Sequence, residues 1–178
     1  SSSRGMWRAA LALALPAQAP AGAGPGAGPP RLRWEDCGLL ADVRGVELLG
    51  YSHEPDPIVL GQPYAITRSF RSLLNHPVRN LTGETFKSFT QQGEANWSFA
   101  FENGPFSRCG AEQYQTRCPL EAGAEFHFRE LHPGTHVTKP ETHKAVEHYF
   151  ADGVFAGCAV VVYSYAAPGP GDSQTALV

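Results

Sequence analysis

Residues 157–166 read GCAVVVYSYA, and the reading of this stretch decides the fold. Its β-branched and aromatic residues are apolar on both faces of an extended chain, the pattern of a central strand covered from both sides. Such a strand needs neighbours. Working outward, the segments 43–49, 64–73, 85–91, 95–102, 125–131, 142–151 and 155–165 are rich in β-branched or aromatic residues and are bounded by glycine, proline or asparagine. No segment is convincingly helical. Short strands at this spacing without alternating helices predict an all-β fold, an antiparallel β-sandwich of about seven strands.

Alternation assigns faces. Within 96–101, Trp97, Phe99 and Phe101 share one face and Asn96 and Ser98 the other, so three rings are expected to point inward. Phe126 and Phe128 repeat the arrangement, with Glu125, His127 and Arg129 opposite. In 142–151 the phase that puts Val146 and Phe150 inside leaves Glu147 and Tyr149 outside, while turning His148 inward.

The chain has 178 residues, and its mixed apolar and polar part, 31–166, is the size of one domain. Residues 1–19 are expected to comprise upstream residues before a start at Met6 and a secretory signal: Arg8, the apolar run 9–15 and an A-x-A pattern ending at Ala19. That run is too short to span a bilayer. Residues 20–30, PAGAGPGAGPP, read as a flexible leader, and 167–178 as a flexible tail. Fourteen basic and seventeen acidic residues give a net charge of −3 with no basic block, which argues against nucleic acid as a partner. Asn80-Leu81-Thr82 and Asn96-Trp97-Ser98 fit the N-glycosylation pattern. Four cysteines, at 37, 109, 118 and 158, suit two disulfides in an oxidising compartment, although spacing leaves three pairings open. Secretion, or delivery to a lysosomal or vacuolar lumen, is the reading on which these signals agree.

Signatures of catalysis are absent from the sequence: there is no G-x-S-x-G elbow, phosphate loop or HExxH helix. His143 and His148 would face opposite sides of a strand, so neither a metal nor another cofactor is expected. Five of the seven histidines lie at 127, 132, 136, 143 and 148, where protonation could tune ligand release, although solvated histidines are the commoner case. Glu35 with Asp36, and Glu54 with Asp56, read as turn and surface residues rather than as paired catalytic acids.

The order Trp34-Glu35-Asp36-Cys37-Gly38, then Glu54-Pro55-Asp56-Pro57-Ile58-Val59 with Gly61, then Cys109, Cys118-Pro119-Leu120 and Gly123, then Cys158 in the last strand resembles the ML lipid-recognition domain family. That family includes sterol-transfer, ganglioside-activator and phosphatidylglycerol/phosphatidylinositol-transfer proteins. The resemblance covers 34–165 and implies an immunoglobulin-like sandwich whose splayed sheets leave an apolar lipid cavity. It implies Cys37–Cys158 and Cys109–Cys118 pairs. It also implies that Pro55 and Pro57 shape the connection after the first strand, with Ile58 to Leu60 resuming the sheet. A further disulfide common in relatives is missing, and His53 sits in an apparent insertion.

The expected function is non-catalytic lipid binding and transfer, with a sterol, phospholipid or glycolipid as ligand. A monomer making transient membrane contact, with a lipid-handling protein as a partner, completes the expectation. The expected cavity residues are Trp97, Phe99, Phe101, Phe126, Phe128, Val146 and Phe150, with Phe86 and Phe89 at the rim. The alternative is an immunoglobulin-like extracellular interaction or co-receptor module with a closed core, and a histidine-metal hydrolase is a distant third.

Overall fold

A computed structural model describes residues 31–38, 45–90, 96–110 and 117–169. The expected signal, the leader and all but the first residues of the tail lie outside the described residues, as does the Phe101 side chain. The chain forms β1 (Arg33–Asp36), β2 (Val46–Glu54), β3 (Ile58–Val59), β4 (Tyr64–Ser72), β5 (Leu81–Thr90), β6 (Ser98–Ser107), β7 (Glu125–His132), β8 (Glu141–Ala151) and β9 (Val154–Ala166). Two of these, β1 and β3, are short strands that the sequence pattern did not separate out.

The strands make two layers. One sheet runs β1-β9-β8-β5-β6, with β3 parallel to the end of β9, and the other runs β2-β4-β7. All other pairings are antiparallel. The stretch GCAVVVYSYA lies in β9, which bonds to β1, β3 and β8. Its apolar character on both faces follows from that position, since Ala159, Val161, Tyr163 and Tyr165 are buried on one face and Cys158, Val162 and Ser164 on the other. Asp152 and Gly153, both at positive φ, form the two-residue turn between β8 and β9, a backbone shape suited to tight hairpins.

The EPDP segment carries the chain from one layer to the other. Strand β2 ends at Glu54 in the three-stranded sheet, and Ile58 joins the larger sheet beside Tyr165 with none of its surface exposed. Pro55 and Pro57, both after cis peptide bonds, occupy the crossing, where proline's missing N–H leaves no ladder bond unmade. The Asp56 carboxylate accepts the Leu32 N–H, tying the start of the domain to this corner. Asp36 likewise accepts the N–H groups of Gly38 and Leu48 at 2.9 and 2.7 Å.

Disulfides join Cys37 to Cys158 and Cys109 to Cys118, with Cα atoms 5.2 and 5.5 Å apart. The first fastens β1 to β9, and the second closes a local loop. Two disulfides fit an extracellular or lumenal location.

Facing side chains give the sandwich its zones. At one end Phe70 packs against Phe126, Phe128 and Tyr149, with ring centroids 4.7 to 5.6 Å apart. At the other end His53, His143, Tyr163 and Tyr165 pack edge to face or tilted. Charged groups lie between these aromatic zones.

Candidate ligand pocket between the sheets

A cavity of about 270 Å³ lies between the layers, walled by β4 and β7 on one side and by β8, β5 and β6 on the other. It reaches the side where β6 and β7 are the outermost strands of their sheets and are not bonded to each other. Asn103 and Phe106 stand at that edge, and Phe106 is 44 % exposed.

The floor is a buried ion-pair network. Arg68 donates from Nε and Nη2 to the two Glu147 oxygens at 2.8 and 2.7 Å, a paired geometry that only the guanidinium fork provides. Tyr51 donates its hydroxyl to Glu147 at 3.0 Å, and Tyr149 donates a second hydroxyl to the same carboxylate. The Arg68 guanidinium also lies over the Tyr51 ring, 5.0 Å from its centre. Its remaining Nη1 donates to Glu130 at 3.0 Å, and Glu130 faces His132 at 3.3 Å and Arg108 at 3.8 Å.

Burial by itself raises a carboxyl pKa, but here the neighbours win. The Arg68 charge and the Arg68 and Tyr149 hydrogen bonds hold Glu147 at about 2, and His132, Arg68 and Arg108 hold Glu130 at about 2. Burial lowers the pKa of Lys87, which also faces the cavity. Arg108 lies against Gly83: a Cβ there would come within 2.8 Å of the arginine Nε, so only glycine leaves the guanidinium its place.

The walls differ from the apolar lining that the sequence reading expected. Tyr51, Ile66, Ala145, Tyr163 and Phe106 supply apolar surface, but Arg68, Lys87, Arg108, Glu130, Glu147 and His132 share the lining. None of the eight expected cavity or rim residues whose side chains are described is among its lining residues.

Phe126 and Phe128 do point inward, with Glu125, His127 and Arg129 exposed opposite, but they fill the closed aromatic end. Strand β8 has the opposite phase from the one expected: His143, Ala145, Glu147 and Tyr149 are buried between the sheets. Val146, His148 and Phe150 are consequently on the outer face, where they are half-buried. The Arg68 partner reverses the phase, because a paired Glu147 can be buried where an unpaired one cannot. Phe86, opposite Val146, is on that outer face too, 5.1 Å from His148.

Phe99 is corrected as well: it is 67 % exposed, because register shifts between β5 and β6 break the simple alternation. Trp97 is half-buried just before β6, and the Phe101 backbone pairs with Lys87. Phe89 is half-buried beside His143. Asn80 and Asn96 are both exposed. His143 and His148 lie on opposite faces of β8, and among the described residues no cluster of three or more metal-ligating side chains occurs.

The site that the sequence reading missed had one usable signal. Arg68 sits between Ile66 and Phe70 at strand spacing, so the two inward apolar residues carry the arginine inward with them.

Buried titrating groups make the fold acid-sensitive. His53 lies between Tyr51 and Tyr163, and neither of its ring nitrogens has a hydrogen-bond partner among the described residues. Burial first, and the Arg68 charge second, lower its pKa from 6.5 to about 3. Burial also lowers His143 and His148. Below pH 6.5 the unfolded chain therefore takes up protons that the native state excludes, and stability falls as the pH falls; below 4.5, protonation of Glu130 and Glu147 in the unfolded chain adds to the loss. From His53 alone the loss between pH 7 and pH 5 is about 2 kcal/mol. Urea midpoints measured across that range should drop toward acid, and His53→Phe should flatten the slope. A midpoint that is constant or rises toward pH 5 contradicts this reading.

No family model matches the sequence, and no curated protein matches it. Among solved structures, a Niemann-Pick type C2 protein from Japanese carpenter ant superposes with a TM-score of 0.56 at 13% identity, covering 75% of this chain and 99% of that one. Chicken MD-1 complexed with lipid IVa gives a TM-score of 0.46 at 13% identity over 76% of this chain and 90% of that one. The C-terminal domain of wzt gives 0.47 at 10% identity over 82% and 83%. The layer order, the strand connections and the superposition on the Niemann-Pick type C2 structure together give this chain an ML-domain-like, immunoglobulin-like β-sandwich fold.

Proposed function

We propose that the protein is a secreted, non-catalytic carrier that takes an amphiphilic lipid between its two sheets through the gap flanked by β6 and β7. The observation that carries this is the cavity itself: an ML-domain-like sandwich tied by disulfides keeps a space of about 270 Å³ between its sheets on the β6–β7 side.

At about 270 Å³ the cavity is smaller than the ~300–1,000 Å³ of typical ligand pockets, so the sheets part further on loading or only part of the ligand is enclosed. Binding rather than catalysis is supported by the state of the two pocket carboxylates. Glu147 and Glu130, both held near pKa 2, are fixed in their ionised forms, far from the near-neutral values that suit acid–base work. The acid sensitivity derived above favours release to a near-neutral extracellular space over residence in an acidic lumen.

The test is uptake. The secreted full chain, incubated with phospholipid vesicles containing sterol and glycolipid and then separated from them, should carry bound lipid in native mass spectrometry. A protein that stays clean after incubation, and that instead purifies with a stoichiometric protein partner, supports the interaction-module reading.

A further inference from the structure

We propose that Phe106 decides which lipids enter the cavity, admitting a single flexible hydrocarbon chain and turning away a fused-ring skeleton. This rests on the carrier reading above and names the ligand class of the same cavity. On β6, Asn103 pairs with Thr85, and both line the cavity. Strict alternation would turn Phe106, three residues on, to the outer face. Instead Phe106 pairs with Gly83, so three steps along β6 are matched by two along β5, and the extra residue of this bulge brings the ring back inside. Gly104 makes the bulge possible: its φ is +120°, and a Cβ there would lie 2.7 Å from the Gly83 carbonyl oxygen. The local backbone of β6 thus holds an aromatic ring in the opening.

The ring stands where a ligand has to pass. Phe106 is a lining residue and is still 44 % exposed, so it meets both the cavity and the solvent. Two residues on, Arg108 faces Glu130 of β7 at 3.8 Å, and this pair joins the two sides at that end of the opening. The interior itself, about 270 Å³, corresponds to roughly nine waters at ~30 Å³ each. With room for so few heavy atoms, a bound lipid extends into the opening alongside Phe106. A hydrocarbon chain rotates about each of its bonds and can follow a path bent round a phenyl ring. A fused-ring skeleton lacks those rotations and needs the place that the ring occupies, so it enters only when Phe106 is removed.

Two intrinsically fluorescent lipids test this by titration of the full, disulfide-bonded chain: cis-parinaric acid, a single chain, and dehydroergosterol, a fused-ring sterol. Parinaric acid is expected to bind about tenfold tighter or more, the scale on which pocket shape discriminates. The heads of the two lipids differ as well, so the effect of substitution decides. Phe106→Ala should raise the sterol's affinity by about tenfold while changing that of the chain far less, which closes most of the gap. Phe106→Leu is the second variant, expected to fall between alanine and the unaltered protein. Equal affinities in the unaltered protein, tighter binding of the sterol, or a preference for the chain that persists undiminished in both folded variants overturns the role of Phe106 and leaves the carrier reading standing. Failure of both lipids to bind the unaltered protein overturns both.

Discussion

Replacing Glu147 by leucine is expected to destabilise the fold by about 3 to 5 kcal/mol, lowering Tm by roughly 10 °C. The carboxylate is 2 % exposed and is the acceptor for Arg68 Nε and Nη2 and for the hydroxyls of Tyr51 and Tyr149. Its removal leaves a buried guanidinium with Glu130 as its remaining carboxylate and two buried hydroxyls without their acceptor. Glu147→Gln keeps oxygen and shape but loses the charge, so its effect should fall between wild type and leucine. The pair Arg68→Met with Glu147→Leu should recover part of the loss, because both charges leave together and the strands can pack methionine against Tyr51. Thermal unfolding of the four proteins checks this. A leucine variant within about 0.5 kcal/mol of wild type, the scatter of ordinary surface substitutions, would show that the network is not the floor described here.

Loss of the Cys37–Cys158 bridge should cost a similar amount by a different route. The two cysteines are 121 residues apart in sequence, and cross-linking them removes so much freedom from the unfolded chain that the chain-entropy relation gives about 4 to 5 kcal/mol. Cys109 and Cys118 are only 9 apart, for which the same relation gives about 2.5 kcal/mol. In urea titrations, Cys37→Ser with Cys158→Ser should therefore lower stability nearly twice as much as Cys109→Ser with Cys118→Ser. Equal losses would locate the contribution of the long bridge in native contacts instead, and a larger loss from the short one would contradict the entropic account outright. The long bridge also fastens β1 to β9, so its absence should loosen the sheet edge farthest from the β6–β7 gap.

Some of this was legible in the sequence because single strands carried enough information. GCAVVVYSYA is apolar on both faces and is the strand with most neighbours. Phe126 and Phe128 alternate with three charged or polar residues, and a strand with so clean a contrast has one sensible orientation.

Strand β8 has no such contrast. Each of its phases carries a histidine, an aromatic ring and a charged residue: His143, Tyr149 and Glu147 on one, His148, Phe150 and Lys144 on the other. Only the facing strand decides between them. Arg68, drawn inward between Ile66 and Phe70, supplies the counter-charge that Glu147 needs, and that partner is 79 positions away. In β6 the alternation itself fails, since the register shifts against β5 put Phe99 in solvent. The candidate pocket was missed for the same reason: it is made of charges that are individually unfavourable inside and become acceptable only as a set.

The carrier reading requires the ligand to lie between the sheets, and that is the claim on which the account stands. A crystal structure of the protein recovered from lipid vesicles tests it most directly. The account predicts continuous ligand density between the two layers, bounded by Arg68, Lys87 and Tyr163 and leaving beside Phe106. Density confined to the outer face around Phe86, Val146 and His148, with the space between the sheets holding only water, would contradict it.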